Sequence, residues 1–155
     1  MKGITPRLVT GMKNHDLKRP SRGSHQVYYN ANPKKLVGSD CVIRALAVAF
    51  DKTWYQMFDE LTDFARQKAM TPTDDICWKA YVEEQNVQHI QTIRRGKHLW
   101  KDGDAFVKAH KDGRYILQMA KHVSVSVDGV IYDIWDCSDR FVYQAWKVLS
   151  CCVQR

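Results

Sequence analysis

The chain has 155 residues, 45% of them hydrophobic and 26% charged, which suits one domain with its own core, is too short for two, and lies outside the composition of disordered chains. Its longest apolar run, Val42 to Phe50, is interrupted by Arg44 and falls far short of the ~20 residues needed to cross a bilayer, and no apolar signal core follows the basic start of the chain; no membrane association and a cytoplasmic location are expected. The net charge of +7 sits in a leader, because residues 1–37 hold eight Lys/Arg and one acid while residues 38–155 balance sixteen basic against sixteen acidic side chains.

Residues 1–26 carry few large apolar side chains and several breakers (Gly3, Pro6, Gly11, Pro20, Gly23), and are expected to form a basic, flexible arm ahead of a domain over 27–155. Such a leader, extending in charge to residue 37, can attract nucleic acid or an acidic partner through salt-sensitive, long-range forces, or simply keep the chain soluble. Val27-Tyr28-Tyr29 reads as a short strand, and Asn30 to Gly38 as a loop. Ser39 or Asp40 can cap a helix running from Cys41 through Phe50, apolar almost all round and therefore central and buried. Thr53 with Gln56 forms a capping box for a second helix, whose stripe is Trp54, Met57, Phe58, Leu61 and Ala65 and which fades near Met70. A third helix begins after Thr73, with Asp74 and Asp75 in its first turn, and ends near Asn86.

A short strand over residues 88–93 follows, then a short helix capped by Asp104 and running through His110. From Lys111-Asp112-Gly113 onward the pattern turns to strands: 114–119, 121–127, 130–135 and 141–149. Helices first and an antiparallel sheet afterwards make an α+β domain. Asp128-Gly129 between two β-rich runs is a strong hairpin signal. With these two as the loop, Val127 pairs with Val130, Ser126 with Ile131, Ser124 with Asp133, and His122 with Trp135. Val123, Val125 and Val127 then take the buried face, while His122, Ser124, Ser126, Asp133 and Trp135 share a more polar one. Asp136, opposite Lys121, falls on the other face, so strand parity selects Asp133 as the carboxylate beside His122; a one-residue slip would reverse that choice.

The five cysteines are odd in number and include no CxxC pair, so neither a disulfide framework nor a zinc site is indicated, and no metal or organic cofactor is expected. Cys41 differs from the rest in its place in the first turn of a helix, where the dipole favours a thiolate. A carboxylate fixes the tautomer of a neighbouring histidine and stabilises its imidazolium, and an imidazolium lowers a thiol further.

The strings Gly38-Ser-Asp-Cys-Val-Ile-Arg-Ala-Leu-Ala, Gly113-Arg-Tyr-Ile-Leu, and His122 followed by Asp128-Gly129 and Tyr132-Asp-Ile-Trp-Asp136 resemble the papain-like cysteine peptidases, in particular small papain-like proteins of bacteriophages and bacteria. The resemblance covers roughly residues 29–147 and leaves out the basic arm. It implies the papain-like fold, with Cys41 as nucleophile, His122 as base and Asp133 as third member, acting as a hydrolase on a peptide or isopeptide substrate. The family's glutamine before the cysteine is not met, since Lys35 stands there; Asn32 is the substitute oxyanion donor, and Asn30 a weaker one. Arg44, one turn past Cys41, is expected to brace the fold through an acid or carbonyls, and Trp135 to shield the His–Asp pair or to fill the core. The resemblance further implies a viral role such as countering a host defence or processing a phage protein. An acyltransferase of transglutaminase type, or a catalytically silent binding protein using its basic arm, remains open on the same sequence.

Overall fold

The computed structural model describes residues 25–149. Of the arm expected over residues 1–26, residues 1–24 therefore lie outside the described residues, as do Cys151 and Cys152. Within the described residues, the elements in chain order are strand β1 (Gln26–Tyr28), helices α1 (Cys41–Ala49), α2 (Trp54–Lys68) and α3 (Asp75–Glu83), strands β2 (Val87–Ile90), β3 (Ile93–Arg94) and β4 (Lys97–His98), helix α4 (Gly103–Ala109), and strands β5 (Arg114–Met119), β6 (His122–Val127), β7 (Val130–Asp133) and β8 (Gln144–Val148). The architecture is α+β. Six strands form a mixed sheet in the order β1-β7-β6-β5-β8-β2, with β1 parallel to β7 and the other pairs antiparallel, and β3 and β4 form a separate hairpin.

Alternate residues of the central strands feed two cores, as the period of two requires. Val123, Val125 and Val127 of β6, Ile116 of β5 and Trp146 of β8 pack with α1, α2 and α3. Tyr115, Leu117, Met119, Ile131 and Ala145 point the other way and pack with Phe106 and Val107 of α4. The expectation of a more polar face on β6 is corrected here. Ser124 and Ser126 are buried, because α4 and its neighbours cover that face.

Local signals account for most of the elements. Thr53 and Gln56 form both bonds of the capping box at α2. Of the expected stripe, Met57, Leu61 and Ala65 are buried, whereas Phe58 is 40% exposed and stacks on Trp54 at 5.2 Å. The two-residue loop of the β6–β7 hairpin is as read from Asp128-Gly129, with Val127 opposite Val130 and Ser126 opposite Ile131; both loop residues have positive φ.

Several boundaries differ from the sequence reading. Gln26 already belongs to the sheet, opposite Ile131. α4 is capped by Asp102, whose carboxylate accepts from the Ala105 N–H at 2.9 Å, which leaves Asp104 in the first turn. β6 begins at His122, because Lys121 occupies a tight turn with φ 51°. β7 ends at Asp133 and β8 starts at Gln144, both shorter than expected. The expected strand over 88–93 divides into β2 and the start of the β3–β4 hairpin. Among the described residues no helix is long and apolar enough to cross a membrane.

Candidate active site

Cys41 is the first residue of α1 and is partly exposed. The helix start is held by Asp40, which makes no side-chain cap bond. Its carboxylate instead gathers three donors: the guanidinium of Arg44 one turn on, Asn32 Nδ2 at 3.1 Å and Trp54 Nε1 at 2.9 Å. Arg44, 6% exposed, also donates to the Gly38 carbonyl at 3.4 Å. A buried arginine needs such partners, since an uncompensated charge there is costly. The residue before the thiol is thus fixed from the preceding loop, from α1 and from α2.

His122 opens β6, so its ring lies at the end of the sheet. Its Nε2 is 2.7 Å from Oδ2 of Asp133. The same oxygen accepts the Ser124 hydroxyl at 2.6 Å, and Oδ1 accepts the Ile134 N–H at 2.7 Å. Asp133 is 6% exposed, and these bonds let it stay charged there. With Nε2 engaged by Asp133, the His122 ring shares a cleft with Cys41 and acts on its thiol as the neighbour that lowers its pKa. Asp136 is engaged elsewhere, accepting from the Ser138 N–H and hydroxyl.

Among the described residues the electrostatics single out one thiol. Burial by itself would raise the pKa of Cys41. Hydrogen bonds from His122 and from the Val123 N–H, together with the charges of His122 and Arg44, outweigh it and bring the thiol below its ordinary value. Cys77 and Cys137 are both raised, chiefly by burial. Burial by itself would lower His122, but its bonds to Asp133, Cys137 and Cys41, and the charge of Asp133, push its pKa up to about 11. A thiolate–imidazolium pair is the state these shifts favour.

A cleft of about 190 Å³ opens beside the pair, lined by Cys41, His122, Thr73, Asp75, Gln118 and Lys121, among others. Trp135 is 38% exposed and lies with its ring 4.9 Å from that of His122. Asn32 comes next to the helix start, but its amide nitrogen is engaged with Asp40, its Oδ1 accepts from the backbone N–H groups of Lys34 and Leu36, and it does not line the cleft. Asn30 is tied into the same loop through the Leu36 carbonyl and the Asn32 N–H.

In the sequence Asp40 reads only as a cap, and Ser124 and Cys137 carry no visible role. The i, i+4 spacing of Asp40 and Arg44 was a usable signal for their ion pair, and strand parity had already placed Ser124 beside Asp133. Cys137 is fully buried, with Sγ 3.5 Å from Ser124 Oγ and 3.7 Å from Asp133 Oδ2. The ligand atoms of His122, Asp133 and Cys137 lie within 4.8 Å of one another and could face a metal ion. As these side chains stand, Nε2 and Oδ2 are hydrogen-bonded to each other at 2.7 Å. Comparison with protein-family models, with curated proteins and with solved structures finds no match.

Proposed function

We propose that the protein is a cysteine-dependent hydrolase of papain-like fold acting on an amide or related acyl bond of a peptide or protein. The observation that carries this reading is the lowered Cys41 thiol beside His122 at the edge of a cleft, with His122 hydrogen-bonded in turn to Asp133. The thiolate of Cys41 attacks the carbonyl carbon, and the charge that develops on the carbonyl oxygen falls near the start of α1, where the Cys41 N–H can receive it. The imidazolium of His122 gives its proton to the leaving amine, which departs and leaves a thioester. His122 then takes a proton from water as it adds to the thioester, and the acid is released with the thiolate restored. Asp133 orients the ring and stabilises its charged form. Asn32 acts here through Asp40, as a positioning residue for the helix start. Free thiols at Cys41, Cys77 and Cys137 suit a reducing cytoplasm.

Labelling with iodoacetamide at mildly acidic pH, read by peptide mass spectrometry, tests this reading. Cys41 should be modified ahead of every other cysteine, and that preference should vanish in His122→Ala. Equal labelling of all cysteines, or preference retained without His122, would refute the thiolate–imidazolium pair.

A further inference from the structure

The β3–β4 hairpin is fully exposed and strongly basic. Between Ile93 and Lys101 it holds Arg94, Arg95, Lys97 and Lys101 and no acid, although the chain from residue 38 onward is neutral. Among the described residues, no carboxylate lies within ion-pair distance of Arg94, Arg95 or Lys97, while Lys101 has Asp102 at 3.8 Å. The hairpin turns through Arg95-Gly96, both at positive φ (51° and 74°). Asparagine or aspartate is the usual first residue of such a turn; here an arginine is held at the tip despite the left-handed backbone.

Apolar side chains alternate with these charges. Ile93 and Leu99 are each 43% exposed, and Phe141 and Tyr143 are 48% and 41% exposed. The His98 ring stacks on Phe141 at 5.0 Å and meets Tyr143 edge-on at 5.7 Å, and the Thr92 hydroxyl fastens the hairpin base to the Tyr143 carbonyl. The surface continues to the catalytic candidates. Arg140, next to Phe141, lies 5.6 Å from the centre of the Trp135 ring, and Trp135 is the ring beside His122. Strand pairing sets Ile93 and His98 on the hairpin face toward Phe141 and Arg94 and Lys97 on the other, and exposed aromatic, aliphatic and arginine side chains gathered about one hairpin are the composition of a protein-binding hot spot.

We propose that this strip, from Trp135 through Arg140 and Phe141 to Arg94 and Arg95, binds an acidic segment with interspersed apolar residues in a protein substrate. Its carboxylates pair with the free cations of the hairpin, and its apolar side chains lie on Phe141, Ile93 and Leu99. The place of the strip relative to the scissile bond rests on the proposed thiol chemistry; the binding itself does not.

The test uses the full chain carrying Cys41→Ala, which prevents turnover, and a fluorescent peptide of alternating Glu and Leu, with a Lys/Leu peptide and a single-stranded oligothymidylate as the other probes. Fluorescence anisotropy is compared for this protein and for the same protein with Arg94→Glu, Arg95→Glu and Lys97→Glu added. The basic leader is present in both, so the difference reports the hairpin alone. The expected result is binding of the Glu/Leu peptide in preference to Lys/Leu, weakened about tenfold or more by the three charge reversals and weakened again by Phe141→Ala. Equal binding with and without the reversals overturns the proposal, as does an oligothymidylate that binds more tightly than the Glu/Leu peptide and loses that binding on reversal. Iodoacetamide labelling of the triple variant with Cys41 restored separates the two readings. Preferential Cys41 labelling with lost peptide binding supports both, whereas lost preference in wild type refutes the thiol site and leaves the binding result standing.

Discussion

Replacing Asp133 by asparagine removes the charge facing His122 while keeping the side chain's shape. In the native protein Oδ2 takes both the His122 Nε2–H at 2.7 Å and the Ser124 hydroxyl at 2.6 Å, and the pKa of His122 is pushed up to about 11. A hydrogen bond to a charged partner contributes roughly 1.5–3 kcal/mol, and 1.36 kcal/mol corresponds to one pKa unit, so the midpoint should fall to roughly 9–10 in Asp133→Asn. The ring protons of His122, followed by NMR across alkaline pH in both proteins, report that midpoint directly and need no substrate. Near-UV circular dichroism checks that the variant keeps its packing. A folded Asp133→Asn protein whose His122 still titrates near the wild-type value would show that Asp133 does not hold the imidazolium, and the proposed role of the carboxylate would fall with it.

The pH dependence of stability should expose the thiol and the imidazole separately. His122, raised from 6.5 to about 11, adds stability that is complete below pH 6.5 and lost as the pH climbs through about 11. Cys41, lowered from 9.0, adds stability that is complete above 9.0 and lost as the pH falls through its lowered value. The two slopes oppose each other near neutrality. Urea midpoints of Cys41→Ser should therefore decline more steeply than wild type between pH 7 and 9, whereas parallel profiles would contradict the shifts. Arg44→Met strands the Asp40 carboxylate in a largely buried place with two neutral donors, so a loss of about 3–5 kcal/mol is expected in urea unfolding; a change under ~1 kcal/mol would mean that Asp40 is solvated. Leu46, fully buried in α1 against the sheet, should lose about 2–5 kcal/mol as alanine by the same measurement.

Much of this molecule is written in short-range signals. The capping box at Thr53 and Gln56, the apolar run of α1 and the Asp128-Gly129 hairpin each involve residues within a few positions of one another, where backbone hydrogen bonding and side-chain period leave few alternatives. Strand parity reaches as far as the choice of Asp133 over Asp136, because both strands of the hairpin are set by one turn. Signals become unreadable where strands are short and exposed. β3 and β4 have two residues each and no buried face, so no alternation marks them. Two acids near one helix start, Asp102 and Asp104, carry the same propensity, and only the packed chain shows which oxygen meets the Ala105 N–H.

The sequence by itself determined the α+β class, the place of Cys41 at a helix start and the shared face of His122, Ser124 and Asp133, since each depends on local period and turn chemistry. Tertiary structure decided what those groups meet. The parallel pairing of β1 with β7, the packing of α4 on the sheet face that carries Leu117 and Ile131, and the convergence of Asn32 and Trp54 on Asp40 all join residues that no helix or strand period links. Such meetings are fixed by burial of the two cores and by the need of each buried polar group for a partner, and no local pattern encodes them.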